Sequence, residues 1–176
     1  MKKITKYFMA VVLTMAMTGF SSCGEKDNGN EEQPVTESTT YAIHHMNRVL
    51  EAGQTVYYHP TESQKNNDWA IVEFLLENKS TENQLTYLKV ERIDGPSSFD
   101  ELTICFGTDC HIGTCPWVTK ENEAITLVPG VNSNIPISVE YVPSNAASSN
   151  GVYRITVGKG ASLSDPQVMY LNMAAE

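Results

Sequence analysis

The sequence predicts an all-β fold, an antiparallel β-sandwich of about seven to nine strands. Residues 135–141 and 152–158 each alternate apolar and polar side chains, which is typical of a strand with one buried face. Turn-forming pairs such as Pro129-Gly130 and Asn150-Gly151 recur between the candidate strands, because these residues adopt the backbone angles of chain reversal. No convincing amphipathic helix separates the strands, so a parallel sheet with helical crossovers is disfavoured.

The individual strands follow from the same periodicity. In residues 69–77, Ala70, Val72, Phe74 and Leu76 form one continuous apolar face and the opposite face is mixed, which favours a central strand. Asn150-Gly151 stands directly before an alternating run and predicts a hairpin. The remaining candidates are residues 48–51, 55–59, 86–93, 101–106, 124–128 and 168–173.

Residues 1–22 have the organisation of an export signal. Three lysines precede an apolar run at residues 7–17, which is shorter than the roughly 20 residues that a membrane-spanning helix needs. Ser21 and Ser22 then lead directly into Cys23. This arrangement resembles the lipobox of bacterial lipoproteins, which implies cleavage before Cys23 and lipidation of its thiol. Several acyl chains on one residue would anchor the mature protein firmly to a membrane without spanning it.

Residues 23–38 follow as a second segment, predicted to be a flexible tether. They contain five acidic residues, one lysine and almost no large apolar side chain, so they cannot bury enough surface to offset the entropy of ordering. The acidic run resembles the surface-export tag of Bacteroidetes-type lipoproteins, which implies an outer-membrane anchor and exposure at the cell surface. A merely solvating linker and an anchor that faces the periplasm stay open as alternatives. Residues 39–176 are predicted to form the folded domain.

The charge of the chain limits its partners. The formal net charge is −9, and removal of the three lysines of residues 1–22 makes it −12. Nucleic-acid binding depends on Lys and Arg contacts to phosphate, so no nucleic-acid partner is expected. The expected partners are the membrane, through the lipid, and a protein or glycan ligand.

Three further cysteines lie close together with one histidine: Cys105, Cys110, His111 and Cys115. They follow the candidate strand at residues 101–106, so we expect a loop that projects from one end of the sandwich. Thiols of an exported protein tend to pair, and the spacing allows either Cys105–Cys110 or Cys105–Cys115. The alternative is a Cys₃His metal site for zinc or copper, although the short knuckle spacing of zinc sites is missing and the thiols would have to stay reduced.

Residues 39–176 as a whole resemble the immunoglobulin-like domains of Bacteroidetes surface lipoproteins, which implies an immunoglobulin-like sandwich. The segment from Cys105 to Cys110 resembles a cysteine–short loop–cysteine element of related sandwich domains, and this resemblance favours the Cys105–Cys110 bond. Two features depart from that element: His111 stands where an aromatic residue is usual, and Cys115 is additional.

No catalytic motif is evident. Ser162 and Ser164 lack the Gly-x-Ser-x-Gly context of a nucleophile, and the glycines around Lys159 lack phosphate-loop spacing. We therefore expect a non-enzymatic binding or structural module without a cofactor, with a zinc- or copper-binding surface protein as the alternative. Tyr58 and Trp117 are candidate ligand contacts, because aromatic rings at a sandwich edge suit glycan or protein partners. Trp117 could instead pack under the cysteine loop.

Overall fold

The computed structural model describes residues 35–58, 70–94, 102–113, 115–141 and 151–173, all of which belong to the compact unit Gln33–Glu176. The predicted signal peptide and Cys23 lie outside these residues. No helix within the described ranges is long and apolar enough to cross a membrane. The strands are β1 (Tyr41–His45), β2 (Arg48–Val49), β3 (Thr55–Tyr57), β4 (Ala70–Asn78), β5 (Gln84–Asp94), β6 (Leu102–Phe106), β7 (Asp109–Gly113), β8 (Trp117–Val118), β9 (Ile125–Leu127), β10 (Gly130–Tyr141), β11 (Val152–Lys159) and β12 (Ser164–Asn172). A short 3₁₀ helix, Glu121–Glu123, precedes β9.

The strands form two sheets that pack face to face. The first sheet has the order β2-β1-β4-β10-β6-β7, and the second has the order β3-β12-β11-β5-β8 with β9 also paired to β5. Neighbouring strands are antiparallel except for β3, which runs parallel to β12. The predicted antiparallel β-sandwich is therefore confirmed. There are more strands than predicted, because short segments of two to five residues, such as β7 and β8, form the edges of the sheets. These segments are too short or too polar to show the alternation of apolar and polar residues that predicts a strand.

The core lies between the sheets and is built by the predicted alternation. Ile137 and Val139 of β10 and Tyr153, Ile155 and Val157 of β11 are all buried. Burial of each such aliphatic side chain contributes about 1.5–3 kcal/mol. The alternating runs therefore supply the two facing halves of one apolar layer.

Strand β4 has the central position that its sequence predicts. It pairs with β1 on one side and β10 on the other, and Val72, Phe74 and Leu76 point into the core. Alternate residues of β4 face the outside of the first sheet, where Ile71 and Glu73 are exposed. This outer face becomes important for the candidate site.

The hairpin predicted at Asn150-Gly151 is wrong. The strands on either side of this pair belong to different sheets, since β10 pairs with β4 and β6 whereas β11 pairs with β5 and β12. Gly151 is buried, and a Cβ atom there would lie 2.7 Å from the carbonyl oxygen of Asp94. The glycine is needed for this close approach between backbones, not for a tight turn.

The chain enters the domain through a clasp formed by Asp165 of β12. The Asp165 carboxylate accepts hydrogen bonds from the backbone N–H of Thr39 and Thr40 at 2.9 Å and from their hydroxyls at 2.8 and 2.6 Å. Burial favours a higher pKa, but the hydrogen bonds from Thr40 and Thr39 outweigh it and lower the pKa of Asp165 to about 2. Because Thr40 leads into β1 of the first sheet, the clasp connects the two sheets.

The folded part begins earlier than predicted. Ser38, which was assigned to the tether, is buried, and its N–H donates to Gln167 Oε1 at 3.1 Å while its hydroxyl donates to the Asp165 carbonyl at 2.8 Å. Val35 lies close to Gly53, 3.4 Å from where a Cβ atom of that residue would stand. The start of the folded domain could not be recognised from the polar composition of this segment, because Ser38 is held by hydrogen bonds and not by apolar contacts.

We predict that Asp165→Asn lowers the free energy of unfolding at neutral pH by about 1–2 kcal/mol, because the amide nitrogen cannot accept the bonds from Thr39 and Thr40. Asparagine tolerates the positive φ of 48° at this position, so the backbone is not the cause. The carboxylate has a lowered pKa, so its contribution is complete above the ordinary value of 3.8 and is lost as the pH falls towards 2. Urea unfolding at neutral and acidic pH measures both effects.

The exposed Asp109 provides a matched control. Asp109→Asn removes the same charge and should change stability by less than about 0.5 kcal/mol. Equal losses in the two variants would contradict a specific role for the clasp.

Candidate functional site

The predicted Cys105–Cys110 disulfide is present, with a Cα–Cα distance of 3.9 Å. The two residues are directly opposed across the hairpin of β6 and β7, whose two-residue turn begins at Gly107. Gly107 has a φ of 63°, a backbone angle that favours glycine, and a Cβ atom there would lie 2.8 Å from Ile125 Cδ1, so that the end of the isoleucine side chain would have to move. The bond thus fastens two paired strands at the edge of the first sheet. The expectation of a loop that projects from the end of the sandwich is wrong for this part of the chain.

The Cys₃His set is not assembled in this arrangement. Cys105 and Cys110 use their sulfur atoms in the disulfide, and Cys115 does not take part in it. His111 follows Cys110 on the same strand, and successive side chains of a strand point to opposite faces. Within the described residues, no group of three or more potential ligands converges on one point. The geometry therefore gives no support to the metal-binding alternative.

His111 and Trp117 meet where the two sheets approach each other. His111 belongs to β7 at the edge of the first sheet, Trp117 to β8 at the edge of the second, and their ring centroids are 4.6 Å apart. Glu123 Oε2 lies 3.5 Å from His111 Nε2. Trp117 also packs against the core, and its indole nitrogen is buried. The ring closes the edge of the sandwich, so the structure favours the packing role of Trp117 over a ligand contact.

Tyr58, the other predicted ligand contact, lines a cavity of about 590 Å³ on the opposite edge of the first sheet. We call it the hairpin cavity, because the hairpin of β1 and β2 forms one of its walls. The side chains around it are mostly apolar or aromatic, with two histidines and one carboxylate among them. Those that define it here are His45, Met46, Tyr58, Ile71, Glu73 and Val131.

The tip of this hairpin has unusual backbone and side-chain properties. Met46 and Asn47 form its two-residue turn with φ of 48° and 62°, a pair of positive angles that matches the twist of the flanking strands. Asparagine adopts such an angle readily, whereas methionine does so at a cost of about 1 kcal/mol or more. Met46 is also 81% exposed. A flexible apolar side chain is thus held in solvent at the rim of the cavity.

The two histidines of β1 have different partners. His44 Nε2 lies 2.8 Å from Glu77 Oε2 on the outer face of the first sheet. His45 Nδ1 lies 3.0 Å from the carbonyl oxygen of Glu73, and its ring contacts Phe74 with centroids 5.1 Å apart. Since a carbonyl oxygen only accepts, Nδ1 of His45 is the donor.

Tyr58 makes a similar contact two residues along β4. Its hydroxyl donates to the carbonyl oxygen of Ile71 over 3.5 Å, a long and therefore weak hydrogen bond. The Tyr58 backbone is fixed by the bond from its N–H to Asn172 O at 2.9 Å. The tyrosine is therefore anchored to the second sheet, and its ring reaches the first.

The sequence offers Tyr58 as a candidate ligand contact, and the structure places it at this cavity, but the sequence does not predict the hairpin that completes the cavity. The residues Tyr41–His45 were not recognised as a strand, because only their first three positions are buried. Asn47, followed by the candidate strand at residues 48–51, was the available signal for a hairpin here. The cavity itself depends on β3 and β4, which are distant in sequence and could not have been placed beside β1 by periodicity.

Comparison with known proteins gives the fold but no family. No protein-family model matches the chain, and no curated protein matches its sequence. The N-terminal domain of PorA matches 77% of this chain and 97% of its own length, with a TM-score of 0.56 and 15% identity. Two other solved structures match less well. A PapD-like domain of human CEP192 has a TM-score of 0.36 and 11% identity, and the match covers 87% of this chain and 99% of that domain. The CooA pilin subunit of enterotoxigenic Escherichia coli has a TM-score of 0.37 and 12% identity, and the match covers 78% of this chain and 99% of the pilin. The described strands form an immunoglobulin-like β-sandwich.

We predict that replacing Cys105 and Cys110 together by alanine lowers the free energy of unfolding by about 2 kcal/mol. This is the loop-closure entropy expected for so short a cross-link, which spans a sequence separation of 5. Urea unfolding should show the loss, while far-ultraviolet circular dichroism stays that of a β protein. Addition of reductant should destabilise the native protein similarly and leave the double variant unchanged. A double variant as stable as the oxidised protein would contradict a structural role for the bond.

Proposed function

We propose that this protein is a non-enzymatic surface lipoprotein of the Bacteroidetes type, whose sandwich domain binds a protein or glycan partner. Lipid on Cys23 would hold it in the outer membrane, facing the outside of the cell. The hairpin cavity would receive the partner.

The export signal and Cys23 support the anchoring part of this proposal. The basic residues, the short apolar run and the small residues before Cys23 occur in the order that lipoprotein processing requires. The Cys105–Cys110 disulfide agrees with export, because such bonds persist in oxidising compartments. The acidic residues after Cys23 agree with exposure at the cell surface.

The hairpin cavity is the observation that carries the binding part. At about 590 Å³ it falls within the range of small-ligand sites. Its lining combines the apolar side chains of Ile71 and Val131 with the Tyr58 ring and a few groups able to form hydrogen bonds, a composition that favours recognition. Met46 adds a flexible, polarisable side chain of the kind used at adaptable binding surfaces.

We predict that Cys23→Ser abolishes lipidation. In a bacterial host that processes lipoproteins, the native chain should incorporate radiolabelled palmitate and sediment with the outer membrane, whereas the variant should do neither. Cys115→Ser removes a different thiol and should retain both properties. Palmitate incorporation by the Cys23→Ser chain, or its absence from the native chain, would contradict the proposed anchor.

We predict that Tyr58→Ala weakens partner binding at least about tenfold, because aromatic anchors dominate small contact sites. The full-length protein in detergent would be applied to glycan and peptide arrays, and retained ligands would be titrated by calorimetry. Tyr57→Ala is the control: Tyr57 is 67% exposed and lies at the end of β3 next to Tyr58, so its side chain points the other way. Failure to retain any ligand, or equal losses in both variants, would contradict the proposal.

A further inference from the structure

We propose that the open edge of β4, at residues 71–73, binds an extended segment of a partner protein that alternates basic and apolar side chains. The segment would add to the first sheet as an extra strand and occupy the hairpin cavity. This inference rests on the proposed binding function and specifies its partner.

Among the described strands, this edge is open because β1 turns away before β4 ends. The last pair between these strands is His44↔Leu75, after which the chain reverses at Met46 and Asn47. Strand β4 continues to Ala70 and stays paired with β10 over that stretch. Among the described strands, none pairs with residues 70–74 on the β1 side. An unpaired strand edge is a template for another strand.

The backbone groups of this edge point into the space that β1 vacates. Along an antiparallel strand, the peptide groups of alternate residues point to the same side. The Lys79 N–H donates to Thr40 O on the β1 side at 2.7 Å, so Glu73 and Ile71, six and eight residues before Lys79, present their groups on the same side. Those two carbonyl oxygens are therefore spaced as an incoming strand would require.

Within the described ranges, two side chains meet these carbonyls. The His45 ring donates to Glu73 O at 3.0 Å, and the Tyr58 hydroxyl donates to Ile71 O at the long distance of 3.5 Å. To release the carbonyls, both donors would have to rotate about their side-chain torsions. The N–H groups of an incoming segment would replace them. Such strand addition is an established mode of peptide recognition, in which main-chain bonds give affinity.

The side chains that flank the edge define the chemistry of the segment. Ile71, Glu73 and Leu75 lie in a row on the outer face of β4. Glu140 of β10 is paired with Ile71. Leu75 is already opposite His44 of β1, so a strand laid beside residues 71–73 would set its outward side chains against the short series of apolar Ile71 and acidic Glu73. Lysine or arginine opposite Glu73 complements this series. A second copy of the chain, which carries a net charge of −9, does not.

The test uses the full-length protein in detergent and a short, end-blocked peptide of alternating lysine and valine. We expect the peptide to bind and to protect the amide hydrogens of Ile71 and Glu73 from exchange, as measured by NMR. A version with N-methyl groups on alternate amides cannot complete the ladder and should bind at least about tenfold more weakly. A version with glutamate in place of lysine should lose binding to a similar extent.

A charge reversal tests the partner chemistry from the protein side. Glu73→Lys should weaken binding of the lysine peptide at least about tenfold and improve binding of the glutamate peptide. Glu121→Lys makes the same change of net charge at an exposed position of the 3₁₀ helix and should alter neither.

The outcomes separate this inference from the proposed function. Equal binding of the N-methylated peptide, protection elsewhere than at β4, or self-association blocked by Glu73→Lys would each overturn strand addition. If the arrays still retain a ligand that depends on Tyr58, the binding function survives without it. If neither peptide nor array ligand binds, both fail.

Discussion

The two sheets are held together by the apolar layer between them. The side chains that must enter this layer determine the register of the strands. Tyr41 shows the constraint most clearly. Its ring is fully buried, and its hydroxyl accepts a hydrogen bond from Thr86 Oγ1 of the facing sheet at 3.2 Å. Burial raises the pKa of Tyr41, so the hydroxyl stays protonated. A one-residue slip of β1 would turn this ring outward and expose the layer, which is why the register of β1 against β4 is so strongly determined.

The inner faces of both sheets form the core, and the two edges of the first sheet are stabilised by different contacts. At the β7 edge, the Cys105–Cys110 disulfide holds the hairpin, and the contact between His111 and Trp117 joins it to the second sheet. At the β1 edge, the hairpin is short and reverses through an exposed methionine. The disulfide and this ring contact restrict movement of the first edge. At the second edge, among the described residues, the side chains of His45 and Tyr58 cover part of β4.

Strand β1 connects the entry of the chain to the candidate site. Its first residues follow the Asp165 clasp, and its last residue, His45, lines the hairpin cavity. Five residues of extended chain cover about 13–17 Å, so the cavity lies at the far end of β1 from the point where the chain enters the domain. A partner could therefore reach the cavity without displacing the clasp.

The class of fold and the central position of β4 could be predicted from local patterns, because alternating burial is a local property of residues such as Val72, Phe74 and Ile155. The sequence also restricted the disulfide to two pairings and singled out Tyr58. Tertiary structure decided the rest. Gly151 leads into a strand of the second sheet, Ser38 belongs to the folded domain, and Trp117 helps to close an edge of the sandwich. The hairpin cavity exists only because β3 and β4, far apart in the chain, come to lie beside β1. Long-range pairing of this kind depends on the whole core packing at once, and no single segment encodes it.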